Sequence, residues 1–153
     1  TGPNLDLLAR EMVYKYNLDY RCGTGHGVGH FLNVHEGPNG FRPHDRPGFA
    51  PMCAFEPGMI TTDEPGIYIE NSHGVRHENE LLCVAVAENE YGQFLEFEPI
   101  TMVPFDLDGL DLKLLSDHEI KQLNDYQQLV FDTISPYLTN EERSWLQANL
   151  LVK

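Results

Sequence analysis

The side chains best suited to chemistry concentrate in a glycine-rich segment, residues 23–38, which reads GTGHGVGHFLNVHEGP. It holds three of the seven histidines of the chain, namely His26, His30 and His35. A histidine between glycines has no neighbour to pack against, whereas a metal ligand or catalytic base needs open space around its ring. The pattern therefore predicts a functional role for His26 and His35. The alternative is a glycine-rich turn with exposed histidines, and for His30 a side chain that faces water is favoured.

A second polar group lies at residues 62–66 (TDEPG) and 74–80 (GVRHENE). Residues 71–74, NSHG, favour a turn, and the resulting hairpin pairs residues whose numbers sum to about 143. Glu64 and Glu78 are therefore predicted to face each other. Like charges on neighbouring strands repel unless a cation or a shared proton lies between them. Screening by solvent is the alternative explanation.

One imidazole and two carboxylates on strands are ligands that suit Mn²⁺, Fe²⁺, Co²⁺ or Zn²⁺. Other chemistries fit less well, because the sequence contains no HExxH helix, no GxSxG turn and no phosphate loop ending in GK[ST]. Cys22 beside Arg21 suggests an activated thiolate, but no cysteine-protease pattern accompanies it. We interpret Cys22 as a buried or bystander thiol.

The composition excludes several classes of protein. The chain has 153 residues, 41% of them apolar, and a formal charge of -14, so it offers no basic stripe for nucleic acid. Its longest apolar run, residues 81–87, is far shorter than the ~20 residues of a membrane span. Three cysteines without a CxxC pair indicate a reducing compartment, which predicts a cytoplasmic protein.

The elements that position the polar groups follow from the hydrophobic periodicity. Residues 4–16 are predicted to form a helix that begins at Asn4 and stops near Asn17. Its apolar stripe consists of Leu5, Leu8, Met12 and Tyr16, which repeat at three- and four-residue spacing. Five prolines within residues 36–58 predict a long loop, which we interpret as the rim of a site. Strands are predicted at 31–35, 59–62, 67–69, 75–86 and 93–97.

Two helices are predicted after residue 104, where the sequence becomes rich in Asp and Leu. Each begins with a capping box, Ser116 with Glu119 and Thr139 with Glu142. Pro136 is expected to end the first of them. The apolar stripe of that helix consists of Ile120, Leu123, Tyr126, Gln127, Val130 and Ile134.

Four segments of the sequence together resemble the metallopeptidases of the pita-bread fold, and within them the Xaa-Pro aminopeptidases (aminopeptidase P). They are TGPNLDLLAR at 1–10, GTGHGVGHFLNVHEGP at 23–38, EPGMITTDEPGIY at 56–68 and GVRHENELL at 74–82. Each is weak alone, but their order and spacing match the family. The stretch between the two histidines is closer to these aminopeptidases than to prolidases, which share the fold.

The resemblance implies an α+β fold: residues 1–104 would form the C-terminal half of a pita-bread catalytic domain, and residues 105–153 a helical C-terminal extension. The sheet would be curved and mainly antiparallel, with helices on its outer face. The implied reaction is removal of the N-terminal residue from peptides with proline second. It would use two metal ions, usually Mn²⁺ with Zn²⁺ or Co²⁺ possible, and a metal-bridging hydroxide.

The same resemblance implies roles for individual residues. His26 resembles a ligand of one metal, and Glu64 a ligand of the same metal that also shuttles a proton. Glu78 resembles a carboxylate that bridges both metals. His35 resembles the histidine that stabilises the tetrahedral intermediate, and Arg76 the arginine that orients nearby acidic groups.

Two departures from the family pattern limit these expectations. Cys22 stands where many relatives have a histidine, four residues before the ligand. Two further ligands of the family are aspartates that precede the segment at 1–10, and this sequence, which starts at Thr1 without a methionine, is expected to lack them. The chain alone is therefore expected to be inactive or to bind no metal, with Glu64 and Glu78 facing each other unpaired.

Two other functions stay open from the sequence. One is a prolidase-type Xaa-Pro dipeptidase, and the other is a non-catalytic fragment that forms a homodimer or binds another protein through its helices. For the enzyme, the expected partners are peptides with a penultimate proline. Neither nucleic acid nor a membrane is expected to bind.

Overall fold

The computed structural model describes residues 1–31, 33–45 and 51–150, which form two compact units. The first unit is Thr1–Thr101, and the second begins at Met102. The boundary predicted from sequence, after residue 104, lies close to this division. The functional assignment of the two parts remains a prediction.

The first unit begins with helix α1, Gly2–Tyr14, which confirms the predicted helix with shifted ends. Asn4 is not its cap, because the helix already begins at Gly2. Pro3 lies inside the first turn, where proline is well tolerated. Asn17 follows the helix with a positive φ of 57°, a conformation that asparagine tolerates better than most residues.

The face of α1 that is buried is polar, contrary to the expected apolar stripe. Asp6 and Arg10 are 1% and 6% exposed, whereas Leu8 and Met12 of the stripe are 66% and 51% exposed. The buried pair is satisfied by an ion pair and by hydrogen bonds to the segment after the helix, described with the site below. Periodicity alone therefore located the helix but assigned its buried face wrongly.

Among the described residues of the first unit, seven strands follow α1, and every ladder among them is antiparallel. They are β1 Gly25–His26, β2 Gly40–Phe41, β3 Ile60–Asp63, β4 Gly66–Tyr68, β5 Gly74–Arg76, β6 Asn79–Asn89 and β7 Gly92–Pro99. Strands β3, β6 and β7 form a three-stranded sheet in the order β3-β6-β7. Strand β1 pairs with β2, and β4 pairs with β5.

Two strand predictions are wrong in detail. The described part of residues 31–35 contains bends rather than a strand, because the backbone there turns back to bond Gly29 N to the carbonyl of Asn33. The predicted strand 75–86 is interrupted at residues 77–78, since its two halves pair with different partners. The predicted loop 36–58 contains β2, and its residues 46–50 lie outside the described residues.

The register of the hairpin agrees with the sequence prediction to within one position. Asp63 pairs with Asn79 at the end of one ladder, and Gly66 pairs with Arg76 at the start of the next. Glu64 and Glu78 lie between these ladders at matching positions. The turn between β4 and β5 is where Asn71 takes a positive φ of 57°.

Three phenylalanines form the aromatic core of the first unit. The ring centroid of Phe41 lies 5.1 Å from that of Phe55 and 5.7 Å from that of Phe97, and the latter two are 4.9 Å apart. Such pairs contribute about 0.5–1.5 kcal/mol each beyond their buried area. Since Phe41 belongs to β2 and Phe97 to β7, this cluster fixes the β1–β2 ladder against the three-stranded sheet.

The second unit contains helices α2, Asp117–Ile134, and α3, Asn140–Asn149. Both predicted capping boxes are present, and α2 ends just before a short 3₁₀ turn that holds Pro136. Gln127 and Val130 of the predicted stripe are fully buried. The amide of Gln127 is satisfied, because it bonds both the N–H and the C=O of Phe105 at 3.0 Å.

None of the helices among the described residues combines the length and apolar character that a membrane crossing requires.

Candidate active site

Strand β1 places His26 at the centre of a pocket, and its flanking glycines allow this placement. A Cβ on Gly25 would collide with the carbonyl oxygen of Thr62, and a Cβ on Gly27 with that of Glu36. The backbone of β1 therefore approaches β3 more closely than any residue with a side chain permits. An isolated bridge from Gly27 to Thr61 continues this contact.

Replacement of Gly25 by Ala is expected to lower the free energy of unfolding by about 2–3 kcal/mol, because backbone atoms cannot move aside as a flexible side chain would. Urea denaturation of the two variants Gly25→Ala and Gly23→Ala measures the difference. Gly23 is the matched control, since its added Cβ would make only an ordinary contact at 3.7 Å with Phe41 O. Equal losses for both variants would contradict this explanation of the glycine.

Glu64 is a buried carboxylate at the end of β3, with 8% of its surface exposed. Its own N–H donates to the carbonyl of Thr24 at 2.6 Å, which fixes the backbone beside β1. Arg76 donates to Oε2 at 2.6 Å, and the hydroxyl of Thr62 donates to Oε1 at 2.9 Å. The expectation that Glu64 stands unpaired is therefore wrong, because a guanidinium and a hydroxyl satisfy it.

His26 completes the surroundings of this carboxylate. Its Nε2 atom lies 3.0 Å from Oε1 of Glu64, and its Nδ1 atom lies 3.0 Å from the carbonyl oxygen of Gly27. The carbonyl and the carboxylate are both acceptors, so each ring nitrogen faces an acceptor. A neutral ring that donates from Nδ1 to Gly27 directs its Nε2 lone pair toward Glu64. Two lone-pair donors this close need a proton or a cation between them. The imidazole and carboxylate thus suit a divalent metal as donors.

Glu78 does not join this pair. It is exposed and lies in the two-residue break between β5 and β6. Among the residues that the structure describes, no group of three or more His, Cys, Asp or Glu side chains is arranged to hold a metal ion. The ligand roles of His26, Glu64 and Glu78 therefore remain predictions. Of these three side chains, the structure brings His26 and Glu64 together.

A pocket of about 570 Å³ opens above His26 and Glu64. His35 and Arg76 also line it, and the ring of His35 lies 4.3 Å from that of His26 between centroids. Four of the five residues singled out from sequence therefore share one cavity. His30 is exposed, as predicted, although in a bend rather than a strand.

The rim interpretation of the proline-rich loop gains support from the same pocket. Residues 42–45, which follow β2, form part of its wall. Cys22 lies on another part of the wall, where its thiol donates to the carbonyl of Gly66 at 3.3 Å. All three cysteines of the chain are free.

Electrostatics link the charged residues of the site. Burial would lower the pKa of Arg76, but the charge of Glu64 raises it above the usual arginine value, so the guanidinium stays charged. Burial, and then the charge of Glu64, raise the pKa of the neighbouring Asp63. A second negative charge beside Glu64 is therefore unfavourable, and Arg76 balances the charge of Glu64 itself.

Sequence reasoning missed a buried polar network that holds the glycine-rich segment. Arg10 donates to Asp6 at 2.5 Å and to the carbonyls of Tyr20 and Cys22 at 2.6 and 2.8 Å. Burial would lower the pKa of Arg10, but the hydrogen bond and charge of Asp6 raise it. The hydroxyl of Thr24 donates to the other oxygen of Asp6. The i,i+4 spacing of Asp6 and Arg10 was the available signal.

Thr62 is a second residue that the sequence did not single out. Besides its bond to Glu64, its hydroxyl accepts from the backbone N–H of His26 at 3.0 Å. One side chain thus connects the two predicted ligands. Thr62 gave no such signal in the sequence, because its partner His26 lies on another strand.

Comparisons with known proteins identify the family. A model of metallopeptidase family M24 matches residues 1–85, and a model of the C-terminal region of peptidase M24 matches residues 93–150. The chain therefore belongs to metallopeptidase family M24. Its α+β fold is that of the C-terminal part of these pita-bread enzymes, which confirms the fold and family expected from sequence.

Relatives within this family carry aminopeptidase P names. Aminopeptidase P1 of Arabidopsis thaliana is 43% identical over 152 residues, which cover 95% of this chain and 23% of that protein. A probable Xaa-Pro aminopeptidase P of Coprinopsis cinerea is 41% identical, over 96% of this chain and 24% of its own length. The chain spans about a quarter of the length of these relatives.

A solved structure agrees with these sequence relatives. X-prolyl aminopeptidase of Caenorhabditis elegans, described as a cytosolic enzyme with a di-nuclear active site, superposes with a TM-score of 0.82 at 36% identity. The match covers 97% of this chain and 24% of that enzyme.

Proposed function

We propose that this chain is the C-terminal part of the catalytic region of an Xaa-Pro aminopeptidase, which removes the first residue from peptides with proline second. The observation that carries the proposal is the meeting of His26 and Glu64 at 3.0 Å in a pocket that His35 and Arg76 also line. The names of the relatives, which match across 95% or more of the chain, support the aminopeptidase over a prolidase.

The proposed centre holds two divalent metal ions, for which we favour manganese. His26 and Glu64 would hold one of them, and Glu78 is the further ligand that we propose from this chain. The remaining ligands would come from parts of the protein outside these residues. When bound, the ions polarise the scissile carbonyl and lower the pKa of a water molecule.

The side chains of this chain then have distinct tasks. Glu64 accepts a proton from the attacking water and passes it to the leaving proline nitrogen. Arg76 holds the second oxygen of Glu64 in place, so that the first stays directed toward His26. His35 donates a hydrogen bond to the carbonyl oxygen as negative charge develops on it.

Localisation and assembly follow the same proposal. We place the protein in the cytoplasm, since the relative from Caenorhabditis elegans is described as cytosolic and all three cysteines here are free. A homodimer remains a prediction.

Peptide hydrolysis by the complete protein that carries this sequence tests the proposed function. With Mn²⁺ present, Ala-Pro-Ala is expected to be cleaved after its first residue about 10²-fold faster than Ala-Ala-Ala, since the proline ring is what the site selects. The dipeptide Ala-Pro is the control substrate. Cleavage of the dipeptide at the tripeptide rate would indicate a prolidase, and no preference for proline would contradict the proposal. The 153-residue chain alone is expected to be inactive.

A further inference from the structure

The pocket is rich in cationic side chains although the chain as a whole is strongly acidic. The chain has a formal charge of -14 and six arginines, yet four of these arginines and three of the seven histidines line this one cavity. The arginines are Arg10, Arg21, Arg42 and Arg76. Only two acidic residues, Asp45 and Glu64, lie among the described lining residues. The cavity is therefore suited to an anion.

Three of the four arginines already have acceptors. Arg10 bonds Asp6 and two backbone carbonyls, and Arg76 bonds Glu64. Arg21 is exposed and pairs with Asp19 at 2.8 Å. These guanidinium groups already form hydrogen bonds and ion pairs within the chain.

Arg42 differs from the others. Its Nε atom is buried and has no hydrogen-bond partner among the residues that the structure describes, and none of the ion pairs found there includes it. A buried N–H without an acceptor is unfavourable, because it has lost its hydrogen bonds to water. The Arg42 side chain as a whole is partly exposed and lines the cavity, where a ligand can approach it.

The position of Arg42 connects it to the reacting centre. It directly follows β2, whose residue Gly40 pairs with His26 on β1. A ligand held by Arg42 is thus anchored to the same short ladder that carries the predicted metal ligand. Asp45 further along the loop accepts from the N–H of Met52 at 2.9 Å, so that carboxylate is already engaged within the loop.

We propose that Arg42 forms an anion subsite that binds a carboxylate of the peptide substrate, an inference that rests on the proposed function. The planar guanidinium matches a carboxylate with two parallel hydrogen bonds, which a neutral group cannot replace. The carboxylate is either the C-terminus of a short peptide or an acidic side chain after the proline. Arg42 thereby favours short or acidic peptides by roughly threefold to tenfold over their amides.

Acetate binding to the complete protein, freed of metal with a chelator, tests the subsite without requiring turnover. In ¹⁵N NMR titrations, acetate is expected to shift the Nε–H resonance of Arg42 and backbone resonances of the pocket wall, whereas acetamide at matched concentration is not. Arg42→Gln should abolish these shifts and Arg42→Lys should retain part of them. Lys113→Gln, which removes one exposed positive charge from the second unit, should retain them all. Equal responses to acetate in the wild type and Arg42→Gln would overturn the proposal.

Peptide substrates then distinguish the two sources of the carboxylate. The complete protein is compared on Ala-Pro-Ala, its C-terminal amide and the amide of Ala-Pro-Asp, with wild-type Arg42 and with Arg42→Gln. A lower KM for the free acid supports recognition of the C-terminus, and a lower KM for the Asp peptide supports the side chain, provided that Arg42→Gln removes the difference. Equal KM values for all three peptides would overturn the subsite while leaving the aminopeptidase function intact, and no cleavage of any peptide would refute that function instead.

Discussion

Replacement of Glu64 by Gln is expected to lower kcat/KM of the complete protein for Ala-Pro-Ala by roughly 10³- to 10⁴-fold. Gln keeps the size of the side chain but removes the negative charge that Arg76 and His26 share. It also removes both the proton acceptor and one proposed metal ligand. The effect should appear mainly in kcat, because a proton transfer is lost rather than a substrate contact.

The matched control for this change is Glu96→Gln. Glu96 is an exposed carboxylate on β7, and the pocket lining does not include it. The activity of the Glu96→Gln enzyme should equal that of the wild type. A Glu64→Gln enzyme with more than about a tenth of wild-type activity would exclude a proton-transfer role for Glu64.

Replacement of Arg10 by Met is expected to lower the free energy of unfolding by about 3–5 kcal/mol. The variant leaves the Asp6 carboxylate buried at 1% exposure without its cation. It also leaves the carbonyls of Tyr20 and Cys22 without the donors that fix the start of the glycine-rich segment. Urea denaturation, followed by circular dichroism, measures the loss.

Lys15→Met provides the control for an exposed pair. Lys15 lies 3.8 Å from Glu11 at the same i,i+4 spacing, with both side chains more than half exposed. Lys15→Met should therefore lower the free energy of unfolding by less than about 1 kcal/mol. A comparable decrease in the free energy of unfolding for both variants would show that burial does not make the Asp6–Arg10 pair more stabilising than an exposed pair.

The elements that sequence predicted well are those specified by local signals. The capping boxes at Ser116 and Thr139 involve residues only three positions apart, so their geometry is encoded within one turn. The hairpin register follows from the turn near Asn71, and the ladders on either side of Glu64 and Glu78 agree with the predicted register to within one position.

Features that depend on distant residues were not predictable in this way. The buried face of α1 is polar because Arg10 finds acceptors at Tyr20 and Cys22, which periodicity within the helix does not report. Residues 75–86 look continuous in sequence but change pairing partner at residues 77–78.

The candidate site shows the same division. The glycines around His26 marked it correctly as a residue that needs a close backbone approach, and the structure identifies the obstacle as the Thr62 carbonyl. The expectation that Glu64 stands unpaired was wrong, because Arg76 on β5 pairs with it. The resemblance to the family had implied that Arg76 orients nearby acidic groups, but the two expectations were not combined. Arg42 carried no local signal, since what distinguishes it is a missing acceptor in the folded state.

Anomalous diffraction near the manganese absorption edge, from crystals of the complete protein grown with Mn²⁺, tests the proposed metal centre most directly. We expect two peaks in the pocket, one of them roughly 2.0–2.3 Å from both Nε2 of His26 and a carboxylate oxygen of Glu64. Glu78 should contact both ions. An absence of density beside His26, with Glu64 still held by Arg76 alone, would contradict a metallopeptidase centre at this site.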